Sequence, residues 1–212
     1  MKRMIPVAAI LGMIVLGMSA CKKNDKDLQA PAVVFTDSVK IPFGSDHYTF
    51  FSLKEGKVIP LEDSASNKWD IGLKFTSIII NSHASGPGEA GVIVKTDNQY
   101  ETLTQAPTTG YAYDTIATNN EGEPVIKYAI DGTYGSPNAW YVYDAVNHLV
   151  TSKAGLYFIL KTADGKYAKM EIPSVTYADY TPGAMFPNTL VYALNYVYFL
   201  KRIITLFVHR LN

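Results

Sequence analysis

Short apolar or alternating runs recur along the chain between turn-forming residues. They cover Val33 to Phe35, Tyr48 to Leu53, Trp69 to Phe75, Ile78 to Ile80, Gly91 to Val94, Val125 to Ile130, Ala139 to Tyr143, Gly155 to Thr162, Tyr167 to Ile172 and Leu190 to Leu200. The separators, such as Ala84-Ser85-Gly86-Pro87-Gly88, Asn119-Asn120-Glu121-Gly122 and Thr181-Pro182-Gly183, are rich in Gly, Asn and Pro. Runs of this length with these boundaries predict a single antiparallel all-β domain. The clearest element is a hairpin, Leu156 to Thr162 and Lys166 to Ile172 around Asp164-Gly165, a pair that tolerates the positive φ angles of tight turns. Its second strand places Lys166, Ala168, Met170 and Ile172 on one face and Tyr167, Lys169 and Glu171 on the other, so Met170 is expected in the core.

The N-terminus follows another logic. Lys2 and Arg3 precede an apolar stretch from Val7 to Met18, then Ser19 and Ala20 lead into Cys21. This is the order of a secretory signal peptide. The apolar stretch is too short to cross a hydrocarbon core of about 30 Å as a helix, which favours a cleaved segment. Met18-Ser19-Ala20-Cys21 resembles a bacterial lipobox, with Met18 in place of the usual Leu, so Cys21 is the expected lipidation site. The other reading, an unlipidated exported protein with a stray thiol, leaves the lone cysteine unexplained. Residues 21–32 are polar at first and without apolar periodicity, as suits a tether. The expected organisation is a signal peptide at 1–20, a lipidated Cys and tether at 21–32, a β domain at 33–199 and an atypical tail at 200–212, with the protein lipid-anchored on the outer membrane and surface-exposed.

Composition narrows the function. Taking Lys2 and Arg3 from the 19 basic residues leaves 17 against 19 acidic ones, a net charge of about −2, which gives no electrostatic footprint for nucleic acid. The chain carries no Gly-x-Ser-x-Gly elbow, His-Glu-x-x-His, zinc-type Cys pair, EF-hand loop or phosphate-binding Gly motif. A binding protein and not an enzyme is expected, although two glycosidase carboxylates could sit anywhere among the acids. The 15 Tyr and 9 Phe suit strands and a packed core first, and an aromatic ligand face second.

Phe51-Ser52-Leu53-Lys54-Glu55-Gly56-Lys57-Val58, Lys68-Trp69-Asp70-Ile71-Gly72-Leu73-Lys74-Phe75 and Ile80-Asn81-Ser82, then Gly86-Pro87-Gly88-Glu89-Ala90-Gly91-Val92, Trp140-Tyr141-Val142-Tyr143 and the Tyr157 to Ile172 hairpin, resemble the HmuY family of Bacteroidota surface lipoproteins over residues 33 to 198. The resemblance implies an all-β domain on the outer membrane that grips haem between two axial side chains, His in some members and Met in others, and passes it to a TonB-dependent receptor. Carried onto this chain, it makes His148 and Met185 the axial candidates. Each also has a plain reading, as a surface or packing His and as a loop side chain over the core. Between Gln99 and Trp140, where a partner ligand is expected, there is neither His nor Met, and Tyr111, Tyr113, Tyr128 or Tyr134 would have to ligate or stack. His47, His83 and His209 receive no role. The missing ligand favours the alternative of a glycan-binding or adhesion lipoprotein of the same fold without haem, for which shallow Tyr-lined grooves would be the sign. The apolar and basic tail is either an amphipathic segment or the product of a shifted reading frame, and the abrupt end of the resemblance after Tyr198 favours the second.

Overall fold

The structure is a computed structural model that describes residues 33–146, 149–179, 181–182, 186–198 and 201–202. Fifteen strands appear among the described residues: β1 (Val33–Pro42), β2 (Thr49–Ser52), β3 (Lys57–Ile59), β4 (Ile71–Lys74), β5 (Ser77–Ile80), β6 (Gly91–Lys95), β7 (Gln105–Ala106), β8 (Thr115–Thr118), β9 (Pro124–Lys127), β10 (Tyr141–Asp144), β11 (Leu149–Ser152), β12 (Tyr157–Lys161), β13 (Tyr167–Ala178), β14 (Thr189–Tyr198) and β15 (Lys201–Arg202). One 3-10 turn, Leu61–Asp63, is the only helical element described. No helix among the described residues is long and apolar enough to cross a membrane. The all-β antiparallel fold expected from the sequence is therefore the one observed.

Two antiparallel sheets face each other. The larger has the order β1-β14-β13-β12-β6 and the smaller β3-β2-β4-β5. Between them lies the main core, in which Phe51, Ile71, Leu73 and Ile78 of the small sheet meet Phe158, Met170, Tyr192 and Tyr196 of the large one. Met170 is fully buried there, as its strand position implies. The outer faces are covered too. Tyr157, Ile159 and Val197 pack under Tyr100 and Ala106, while Phe50 and Ile79 pack with Trp69 and Ile59. Double coverage explains why Ile78-Ile79-Ile80 and Tyr157 to Leu160 are continuous apolar runs and do not alternate.

Covering the outer face of the large sheet buries a charge. Lys169, on the face away from Met170, is only 6% exposed, and its ammonium donates to the carbonyls of Tyr100 (2.5 Å) and Leu103 (3.0 Å). It also lies 4.6 Å from the Tyr100 ring centre. Burial pulls its pKa below the usual lysine range, and the carbonyls compensate by solvating the cation. The expected Asp164-Gly165 hairpin is present. Gly165 takes the positive φ of 77°, and the connection closes through Thr162, whose N–H donates to the Lys166 carbonyl at 2.9 Å.

Two small hairpins, β8–β9 and β10–β11, stand outside both sheets, and Lys201–Arg202 pair in parallel with Gln105–Ala106. Trp69 ties the small sheet's outer cluster together. It is fully buried, its indole N–H donates to the Ser64 carbonyl at 2.8 Å, and its ring lies 4.6 Å from Phe50. Trp69→Ala should cost about 3–5 kcal/mol in chemical denaturation; a near-neutral midpoint would contradict this packing.

Candidate functional site

Several of the residues that carry the family resemblance, among them Trp69, Asp70, Asn81 and the 86–88 loop, gather at one end of the sandwich, where they are structural. Asp70 precedes β4, is almost wholly buried, and makes no ion pair among the described residues. One carboxylate oxygen accepts the Leu53 N–H and the other the Ala163 N–H, both at 2.8 Å. Leu53 follows β2 in the small sheet and Ala163 belongs to the β12–β13 turn of the large one, so a single side chain joins the two layers. Asn81 completes the joint. Its side-chain NH2 donates to the Ser66 and Trp69 carbonyls, and its side-chain oxygen accepts the Gly88 N–H at 2.9 Å. The glycines of the 86–88 loop are required by this closeness: a Cβ on Gly86 would lie 2.2 Å from the Asn81 side-chain oxygen, and one on Gly88 2.7 Å from the Asn81 carbonyl oxygen.

A second buried carboxylate, Asp114, acts in the same manner. It accepts the N–H of Ile80 (3.0 Å) and of Ala129 (2.7 Å). Nothing in the sequence around Tyr113-Asp114-Thr115 marks it, because a lone acid beside a strand reads as a surface residue. Burial raises the pKa of both acids, Asp70 to about 6.

From Ala129 the chain runs beside β5 to the opposite end of the β4–β5 hairpin, where the Thr76 hydroxyl donates to the Gly132 carbonyl (3.2 Å) and the Trp140 indole N–H to the Thr76 carbonyl (2.8 Å). The segment 129–140 is thus held at both ends. Inside it, the Asp131 carboxylate accepts the Thr133 N–H (2.8 Å) and the Ser136 hydroxyl (2.6 Å). Burial pushes the Asp131 carboxyl up, but these bonds and the charge of Lys153 outweigh it, and its pKa falls below the usual range.

Three clefts surround this braced segment. One of about 430 Å³ is bounded by Val94, Ile130, Asn138 and Lys153. A second, of about 330 Å³, is bounded by Tyr134, Pro137, Val142, Tyr143 and Lys153. A third, of about 390 Å³, lies toward the β8–β9 hairpin against Ile126, Lys127 and Tyr128. Volumes of 300–1,000 Å³ are those of small-molecule sites. In the second cleft Tyr134, 72% exposed, meets Tyr143 edge to face at 5.7 Å. The hairpins around the clefts leave Ile116, Val142 and Val146 exposed.

The sequence candidates fall as follows. Cys21, His148, Met185 and His209 lie outside the described residues. The chain flanking position 185 is at the cleft end, where Phe186 stacks on Phe43 (5.5 Å), which in turn meets Phe75 (5.7 Å). Positions 147 and 148 fall between β10 and β11, whose last pair is Asp144 with Leu149. Tyr134 and Tyr128 line clefts; the Tyr128 hydroxyl is 3.3 Å from that of Tyr48. Tyr111 is away from the clefts, donating to the Pro107 carbonyl (2.9 Å), and burial raises its pKa further from phenolate. Tyr113 meets the exposed His83 edge to face at 4.9 Å in the Gly-rich loop region, and His47 pairs with Asp46 (3.2 Å).

The walls carry Tyr rings, aliphatic side chains and two Lys, groups whose chemistry suits the flat faces and acidic edge of a porphyrin. For its iron they offer only phenols, since among the described residues His47, His83 and Met170 all lie elsewhere.

The scaffold is a two-sheet sandwich with ligand-sized clefts around one braced loop. The family model described as HmuY protein matches residues 45–186, about two thirds of the chain, and the chain belongs to that family. No curated protein matches it. Among solved structures it is similar to the apo HmuY analogue of Tannerella forsythia (15% identity, TM-score 0.47, covering 78% of this chain and 97% of that one). It is also similar to a Bacteroides vulgatus protein provisionally described as HmuY-like and heme-binding (17%, 0.43, 76% and 91%). A third neighbour is a Bacteroides fragilis protein provisionally described as a lipoprotein (13%, 0.46, 76% and 90%).

Asp70 supplies a test of the joint. Its folded pKa lies above the unfolded one of about 3.9, so the folded state holds its proton more tightly, and the associated stability, present below pH 4, is lost as pH rises to about 6. The loss is roughly 3 kcal/mol at 1.36 kcal/mol per unit. Asp70→Asn replaces one acceptor by an NH2 facing a backbone N–H and should cost about 1–3 kcal/mol at pH 4. That penalty should shrink toward pH 6 in urea melts; a pH-independent penalty would contradict the buried, unpaired carboxylate.

Proposed function

We propose that the protein is a surface lipoprotein that captures haem or a related tetrapyrrole in the clefts around residues 129–153 and passes it to a TonB-dependent outer-membrane receptor. The observation that carries the reading is the joining of family membership with clefts of ligand size whose walls are aromatic, aliphatic and cationic at the braced segment. In this reading Tyr134 and Tyr143 stack against the ring, and His148 or Met185 ligates the iron. His148, between β10 and β11, is the first candidate, since a neutral imidazole suits haem iron. The lipid on Cys21 holds the domain at the membrane, and binding and transfer, with no bond made or broken in the ligand, are its whole activity.

A second reading has an observation of its own. The Tyr134–Tyr143 cleft is open and aromatic, as a glycan platform would be, and the described walls hold no imidazole or thioether.

One titration separates the two. Haemin, oxidised and reduced, should produce a saturable one-to-one change in the absorbance spectrum, and His148→Ala should weaken it at least tenfold; no saturable change in either redox state would transfer the site to the glycan reading. Cys21→Ala should move the protein from the membrane fraction to the soluble one, and unchanged retention would refute the anchor.

A further inference from the structure

Two of the three clefts share a wall, and the wall contains one cation. Lys153 and Pro137 border both the 430 Å³ and the 330 Å³ cleft. The Lys153 ammonium closes the wall by donating to the Pro137 carbonyl at 2.6 Å, and it makes no ion pair among the described residues. Its backbone is fixed independently of that contact: the Lys153 N–H donates to the Trp140 carbonyl (3.1 Å), and the Lys153 carbonyl accepts the Leu156 N–H (3.1 Å). The contact with Pro137 is made by the side chain alone. The Asp131 carboxylate, which feels the charge of Lys153, is already occupied by Thr133 and Ser136.

A half-buried ammonium bonded to a neutral carbonyl is poised for exchange. Hydrogen bonds between two ionised groups are shorter and about twice as strong as neutral ones, so a ligand carboxylate entering either cleft displaces Pro137 as the partner of Lys153. We propose that Lys153 is the ligand-gated latch of this site, which recognises a carboxylate on the edge of a bound tetrapyrrole. The proposal rests on the tetrapyrrole reading and adds what selects the ligand: an acidic edge, independent of the metal at the ring's centre.

Independence from the metal makes the two claims separable. Purified wild-type, Lys153→Met and Lys153→Arg proteins would be titrated with haemin, with metal-free protoporphyrin and with the dimethyl ester of haemin, after thermal melts establish that all three are folded. Lys153→Met should weaken haemin and protoporphyrin alike by about 10- to 100-fold, the range of a charged hydrogen bond. Lys153→Arg should restore most of the loss. Esterification should weaken binding to the wild type by the same factor and leave Lys153→Met unaffected. If the wild type binds haemin but Lys153→Met binds it equally well, or if the ester is penalised equally in both proteins, the latch is overturned and the tetrapyrrole reading stands. If the wild type binds none of the three, both fall.

Discussion

The carboxylate of Asp70 is the interaction on which the rest depends. It is a buried charge without an ion pair among the described residues, tolerated because each oxygen takes a backbone N–H, one from each sheet. A sandwich held only by apolar contacts between its layers can slide, since dispersion and the hydrophobic effect are non-directional. Two hydrogen bonds from one rigid side chain fix the offset between the layers. Asn81 then ties Trp69, beside Asp70, to the 86–88 loop, whose glycines leave room for the Asn81 side chain.

That joint sets what the other end can do. β4 and β5 run from the Asp70–Asn81 end to the Phe75–Thr76 turn, and the braced segment 129–140 is attached at both ends of this short hairpin, by Asp114 and by Thr76. The cleft walls are therefore positioned by the core and not by loop chemistry alone. A preformed wall reduces the ordering cost that a ligand must overcome. The β8–β9 and β10–β11 hairpins frame the clefts from this platform, β8–β9 with exposed side chains and β10–β11 anchored in the core by Tyr141 and Val150.

Most of the architecture was legible because burial marks the strands as short apolar or alternating runs between turn residues. Met170 could be placed in the core from strand parity alone. Three features were hidden for physical reasons. β13 continues to Ala178 through Pro173, which reads as a strand end but is absorbed where the register with β14 shifts between Glu171 and Ser174. β8 and the start of β9 are exposed on both faces and so lack a buried face to impose alternation. Lys169 and Asp114, charged residues that look solvated, are buried because backbone groups from distant segments reach them. At the site, Asp70, Asn81 and the 86–88 glycines turned out to be the scaffold's joint, while the cleft walls combine the Trp140–Tyr143 motif with ordinary-looking loop residues such as Pro137 and Lys153, whose partnership depends on tertiary folding.

The central claim is that ligand is received at the end of the molecule opposite the Asp70 joint. The direct measurement is an amide resonance map of the isotope-labelled protein, recorded as zinc protoporphyrin, a diamagnetic haem analogue, is added. The account predicts saturable shifts concentrated between residues 129 and 153 and in the β8–β9 hairpin, with the signals of Asp70, Asn81 and the 86–88 loop unchanged. Shifts centred on the Gly-rich loop and His83 instead, or none at saturating ligand, would contradict it.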